Sequence, residues 1–355
     1  MYVVASHLAV EVIMSSSVLN MDSSKTDEEL ESILSNNSYR YIHFSLDESS
    51  NASNNIIQAS FHDQHLKRKL ITLTNAGFMP YVHRRNTSSL VHHFEIKNLW
   101  VPVRNGEFSI DKNGMVYTLE RAVDLRNEKL LVIFSQIPLE PYSASLYRFF
   151  ANNFSTINKY IGDNVSILRI ADIGGVTGAF YLNTKALPEN EQNVQELIAN
   201  VARECSIEHA DIVLYGTSKG GTASLYHGLK CNYKVISVDP ILDDTHYISN
   251  LNDLHLINGV FPQSKRELFI DLIANYKNGF DNNNVILILS ENSEQFPYIN
   301  NMIGPIEKYL TILNNVSDKI KKHPDVGPLS IHAIVSLINI SLFGFALEKK
   351  SIDFI

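Results

Sequence analysis

The sequence predicts an α/β fold: a mostly parallel sheet with helices on both faces, and a small α+β region in front of it. Three observations carry that expectation. Apolar runs at residues 130–134, 212–215, 235–238 and 285–289 are short and mostly rich in β-branched residues, as strands buried on both faces are. Segments of helical spacing separate them, the order a parallel sheet requires. The second run passes directly into Gly216-Thr217-Ser218-Lys219-Gly220 and then into a helix-compatible stretch at 222–229, which reads as strand, sharp turn and helix.

In chain order, residues 26–35 place Asp27, Glu28 and Glu29 ahead of Leu30, Ile33 and Leu34, a short helix with acids in its first turn. The Asn- and Ser-rich run 47–55 reads as a loop. A second helix is expected over 61–76, stopped by Gly77, with an extended segment at 78–83. These elements make a small N-terminal region, residues 1–105, without recognisable chemistry. Its histidines His62, His65, His92 and His93 lack neighbouring cysteines or carboxylates at ligand spacing, so they read as surface residues and no metal is expected.

The texture changes at Gly106. Segments 108–111 and 115–120 alternate in polarity and join through Lys112-Asn113-Gly114, a hairpin signal. A strand at 130–134 opens into Ser135-Gln136-Ile137-Pro138, a helical stretch follows at 143–154, and a strand at 166–171 leads to a turn with Gly174, Gly175 and Gly178. An amphipathic helix over 193–204 precedes the Gly-Thr-Ser strand. The run 235–238 ends at Asp239-Pro240, and 285–289 is the last clear strand. A hairpin followed by alternating strands and helices is the order of the α/β-hydrolase sheet, assigned here to residues 106–355. Segment 243–284 is long for a connection and is expected to form a lid or cap.

Composition bounds the function. At 355 residues, 45% hydrophobic and 19% charged, the chain can build a large core. A net charge of −8 argues against a nucleic-acid partner, which needs a basic face. Two cysteines, Cys205 and Cys231, form neither a disulfide framework nor a zinc pattern. The first twenty residues lack a positively charged start, and residues 331–347 fall short of a membrane span, so a cytoplasmic protein is expected.

Gly216 to Gly220 is a G-x-S-x-G nucleophile elbow, which holds its serine in a strained turn with Oγ exposed above the sheet. The Lys219 N–H would lie at the helix N-terminus and serve one side of an oxyanion hole; the backbone N–H of Gln136 or Ile137 would serve the other. A serine nucleophile needs a base and a group to orient it, in the chain order Ser, acid, His. His332 is the preferred base because it opens the final helix, with His323 as its rival beside Pro324. Glu294, in the loop after the last clear strand, is the preferred acid, followed by Glu291 and Asp239. The segment from Asp172 to Gly178 suggests close backbone approach, without a phosphate-loop frame.

With residues 215–228, Tyr-Gly-Thr-Ser-Lys-Gly-Gly-Thr-Ala-Ser-Leu-Tyr-His-Gly, and residues 169–181 in view, the chain resembles the XcbB/CpsF type of bacterial capsular polysaccharide biosynthesis proteins. It is more distantly similar to the α/β-hydrolase carbohydrate O-acetyltransferases of capsule clusters and of the accessory secretion system. The resemblance implies acyl transfer to a capsular or surface glycan, with Ser218 as nucleophile and His332 as base. It also implies acetyl-CoA as co-substrate rather than a tightly bound cofactor, and an association with membrane-bound capsule machinery at the inner membrane. An Asp is usual after the last strand of such proteins; this sequence has glutamates there. A carbohydrate esterase with the same triad and a non-catalytic assembly protein are the alternative readings.

Overall fold

A computed structural model describes residues 17–36, 39–47, 54–275 and 285–355. Most of the expected loop at 47–55 and most of the first twenty residues lie outside this set.

The N-terminal part is a four-stranded sheet with helices. β1 (Val18–Asp22), α1 (Asp27–Asn36) and β2 (Tyr41–Ser45) are followed by α2 (Ile56–Ser60), α3 (Gln64–Asn75), β3 (Phe78–Arg84) and β4 (Thr87–His92). The sheet order is β1-β2-β4-β3, with only β1 and β2 parallel. The helix expected over 61–76 is α3, and a separate short helix, α2, precedes it. Asp63 caps α3, its carboxylate accepting the N–H groups of His65 and Leu66, so the longer helix starts three residues late. His92 and His93 are half-buried rather than surface residues, with ring centroids 4.4 Å apart. Short helices α4 (Ile96–Leu99) and α5 (Val101–Arg104) lead out of this part.

The remaining elements are β5 (Ser109–Ile110), β6 (Val116–Glu120), β7 (Lys129–Phe134), β8 (Val165–Ile170), α6 (Asn190–Glu204), β9 (Ile212–Thr217), α7 (Lys219–Cys231) and β10 (Lys234–Val238). Then come α8 (Thr245–Asn250), α9 (Lys265–Asn275), β11 (Val285–Leu289), α10 (Phe296–Ile303), β12 (Thr311–Asn315), α11 (His323–Leu329), α12 (Ile331–Leu342) and β13 (Ser351–Phe354). They build a nine-stranded sheet of order β5-β6-β8-β7-β9-β10-β11-β12-β13. β6 runs antiparallel to β8, whereas all strands from β8 to β13 are parallel. A hairpin, one antiparallel strand and a swap of the next two strands form the α/β-hydrolase arrangement, here with β13 added at the far edge.

Alternate residues of the central strands enter different cores, which is why the strands read as continuous apolar runs. From β7, Leu130, Val132 and Phe134 pack under α6 while Leu131 and Ile133 pack on the opposite face with α12. β9 divides in the same way, Ile212 and Leu214 against Val213 and Tyr215. Each such burial contributes roughly 1.5–3 kcal/mol, so the centre of the sheet is the rigid platform for whatever its strand ends carry.

Two expectations are corrected. The stretch 143–154 is not a helix: its only helical turn is Leu146–Phe149. There the buried Arg148 guanidinium donates to the carbonyls of Val176, Pro80 and Ser145, tying three segments together instead of propagating a helix. β11 is not the last strand, since β12 and β13 follow it. The segment 243–284, as far as it is described, is wedged against the N-terminal part: Lys67 pairs with Asp253 at 3.3 Å, Asn75 donates to the Gly259 carbonyl, and Leu256 joins the N-terminal core. Among the described residues, no single helix is long and apolar enough to cross a membrane.

His227 gives this core an acid limit. It is fully buried on α7, its Nε2 donates to the Tyr181 carbonyl at 3.0 Å, and burial lowers its pKa from 6.5 to about 4. The folded state therefore favours the neutral ring. Its contribution is complete above about pH 6.5 and is lost as the pH falls toward 4, on the order of 3 kcal/mol at most. Urea midpoints should fall over this range in the wild type and less steeply in His227→Gln; parallel curves would exclude His227 as a source of acid lability.

Candidate active site

The turn between β9 and α7 has the strained form expected of a nucleophile elbow. Ser218 sits at φ 56°, ψ −118°, a conformation that non-glycine residues rarely adopt. Two glycines make it achievable. A Cβ on Gly216 would lie 1.9 Å from the Gly220 carbonyl oxygen, and one on Gly220 would lie 2.5 Å from that of Phe134. The second contact also brings the end of β7 against the first turn of α7. Ser218 itself is only partly covered.

Ser218 Oγ lies 2.7 Å from His323 Nε2, and His323 Nδ1 lies 2.7 Å from Asp239 Oδ2. Nucleophile, base and acid stand in one hydrogen-bonded line, in the chain order Ser, Asp, His. Asp239 follows the end of β10, fully buried, at φ 42°, and its Oδ2 also accepts the Ser293 hydroxyl at 2.6 Å. A buried carboxylate facing Nδ1 holds the proton there, leaving Nε2 as the acceptor for the serine proton.

Two residues expected from the sequence are displaced by this geometry. His332 opens α12 with an exposed side chain, and His323 occupies the position beside Ser218. Pro324 is the reason: proline suits the first turn of a helix, where no N–H is needed, so His323-Pro324 marks the start of α11 rather than a loop. α11 then packs directly on the elbow, where a Cβ on Gly327 would lie 2.9 Å from Thr217 Cγ2. Glu294 is not the group on the imidazole; that group is Asp239. Glu294 Oε2 instead accepts the backbone N–H of His323 at 2.7 Å, holding the residue that carries the base. Glu291 is exposed, and its side chain accepts from Asn314 Nδ2 at 3.4 Å.

Lys219 is the first residue of α7, whose N–H has no carbonyl in its own helix to meet, and Gln136 and Ile137 follow β7 where it abuts that helix. Sequence reasoning missed Ser293, which no motif marks, and the Lys219 side chain. The latter is fully buried and pairs with Asp172 at 2.9 Å. This pair accounts for the glycine turn, because a Cβ on Gly178 would lie 2.3 Å from Asp172 Oδ2 and 2.6 Å from Lys219 Nζ. A carboxylate in line with an imidazole and a hydroxyl is equipped to form and break a covalent ester at Ser218.

No family model and no curated protein matches the sequence. Among solved structures, the chain is similar to the Glycosylation Associate Protein (Gap123) complex of Streptococcus agalactiae at 17% identity and a TM-score of 0.46, over 72% of this chain and half of that one. It is similar to the capsule O-acetyltransferase of Neisseria meningitidis serogroup A at 16% identity and a TM-score of 0.45, over 64% of this chain and 92% of that one. The serine hydrolase FphF of Staphylococcus aureus is 10% identical with a TM-score of 0.47, over 65% and 96% of the two chains.

Proposed function

We propose that the protein is a serine-dependent acyltransferase that moves an acetyl group from acetyl-CoA to a hydroxyl of a capsular or surface glycan. The observation that carries the chemistry is the Ser218–His323–Asp239 line, with both contacts at 2.7 Å. The donor, the acceptor and a link to membrane-associated capsule machinery rest on the resemblance at residues 215–228. His323 takes the proton of Ser218 as Oγ attacks the thioester carbonyl, the thiol departs with that proton, and an acetyl-serine remains. In the second half the sugar hydroxyl gives its proton to His323 and its oxygen attacks the ester carbon; the bond to Oγ breaks, and His323 returns the proton to Oγ, which frees Ser218.

Intact-mass spectrometry after exposure to acetyl-CoA tests the first half. A single acetyl adduct on Ser218 is expected, absent in Ser218→Ala, and discharged when the glycan acceptor is added. An adduct that water removes equally fast with or without glycan would favour an esterase. No adduct with any active acyl donor would exclude the serine mechanism.

A further inference from the structure

A line of buried polar groups runs from the elbow to the loop after β7. Lys219 Nζ, inaccessible to solvent, pairs with Asp172 Oδ2 and also reaches the Thr177 carbonyl at 3.4 Å. Asp172 accepts two backbone donors, Phe180 N–H on Oδ2 at 3.0 Å and Tyr181 N–H on Oδ1 at 2.9 Å. The fully buried Tyr181 phenol donates to the Ile170 carbonyl at 2.7 Å and accepts the Ser135 N–H at 2.7 Å. Burial and the nearby Asp172 charge raise its pKa well above the ordinary value, so it stays protonated and able to donate. Ser135 is the residue before Gln136.

The local sequence departs from ordinary preferences to make this connection. A lysine is buried where an apolar residue would pack without desolvating a charge. Glycine stands at 178 because any side chain would strike the ion pair. Phe180 and Tyr181 both sit in the left-handed region, at φ 55° and 59°, which turns two successive N–H groups onto one carboxylate. These departures converge on a path joining Lys219, the first residue of α7, to the backbone of the loop after β7.

We propose that Lys219, Asp172 and Tyr181 are positioning residues that fix the separation of the two oxyanion donors, the Lys219 N–H on the elbow and the Gln136 or Ile137 N–H after β7. The proposal rests on the reading of Ser218 as nucleophile. Oxyanion donors stabilise charge only at hydrogen-bond range of where it develops, and a 1 Å misplacement costs about 10²-fold in rate. A charged pair at one end and a phenol bridging two backbone groups at the other resist that displacement better than apolar packing, which is not directional.

The test is the rate at which a fluorophosphonate labels Ser218. The Oγ attacks phosphorus, the P–F bond breaks, fluoride leaves and the serine proton passes to His323, while the phosphoryl oxygen takes negative charge in the oxyanion hole. Tyr181→Phe keeps the ring and removes the bridge. Its maximal labelling rate should fall by at least ~10-fold, with the probe's half-saturation and the pH midpoint of labelling unchanged and all of the protein still reacting. Asp172→Asn should fall by a similar factor, and the double variant little further, because both break one path. Normal rates in Tyr181→Phe, or losses that multiply in the double variant, would overturn the proposal. A drop only in the fraction that labels would also overturn it, by showing a folding role. A wild type that never labels would remove the Ser218 reading, and the proposal with it; a wild type that labels beside an unaffected Tyr181→Phe removes the proposal alone.

Discussion

His323→Ala should slow acylation of Ser218 by roughly 10⁴-fold or more, whereas His332→Ala should remain at the wild-type rate. His323 Nε2, 2.7 Å from Ser218 Oγ, is the acceptor for the serine proton; without it the nucleophile is a neutral hydroxyl. His332 has the same side chain on the neighbouring helix, but it is exposed to solvent at the start of α12. The comparison is read as the pseudo-first-order rate of acetyl-serine formation, or of fluorophosphonate labelling, for both variants under one set of conditions. Loss in His332→Ala with retention in His323→Ala would reverse the assignment. His323→Ala leaves a space beside Ser218, so added imidazole should restore part of its rate, a recovery that a misfolded variant would not show.

What the sequence discloses follows from how local the interactions are. The elbow is legible because its requirements lie within a few residues: an apolar strand, glycines at 216 and 220, and a helix. β7, β9, β10 and β11 are legible because burial on both faces leaves unbroken apolar runs. β12 is not, since its five residues are Thr-Ile-Leu-Asn-Asn, a pattern that looks like a polar loop. Its asparagines are accommodated by distant partners: Asn315 donates to Ser330 Oγ and the Leu329 carbonyl, and Asn314 donates to Asp353. Long-range satisfaction of that kind leaves no trace in composition. The acid, Asp239, lies after β10 rather than in the loop after β11 that holds Glu294, and the base, His323, lies in the segment that leaves β12 rather than on the final helix. The buried Lys219–Asp172 pair was hidden for the same reason, its partners being forty-seven positions apart.

Asp239→Asn should lower turnover by about 10⁴-fold with folding intact, while Glu294→Gln should lose no more than ~10-fold. Aspartate and asparagine are alike in size, and both tolerate the positive φ of 42° at this position, so the backbone after β10 has no reason to move. The proton arrangement does change. Asp239 Oδ2 accepts both from His323 Nδ1 and from the Ser293 hydroxyl. An asparagine whose amide nitrogen faces the ring would force the proton onto Nε2, which could then no longer accept from Ser218; with either orientation the charge that stabilises the imidazolium is gone. At Glu294 the contact is a backbone N–H donating to one carboxylate oxygen, and a glutamine carbonyl oxygen can accept the same hydrogen bond. Ser293→Ala should fall between the two, because it removes one of two donors to Asp239 Oδ2 and leaves the charge. Turnover of an aryl acetate, with melting temperatures as the check on folding, ranks the three variants. Equal losses in Asp239→Asn and Glu294→Gln would show that the two carboxylates act as one unit, and a Glu294→Gln enzyme slower than Asp239→Asn would return the acid to the loop after β11.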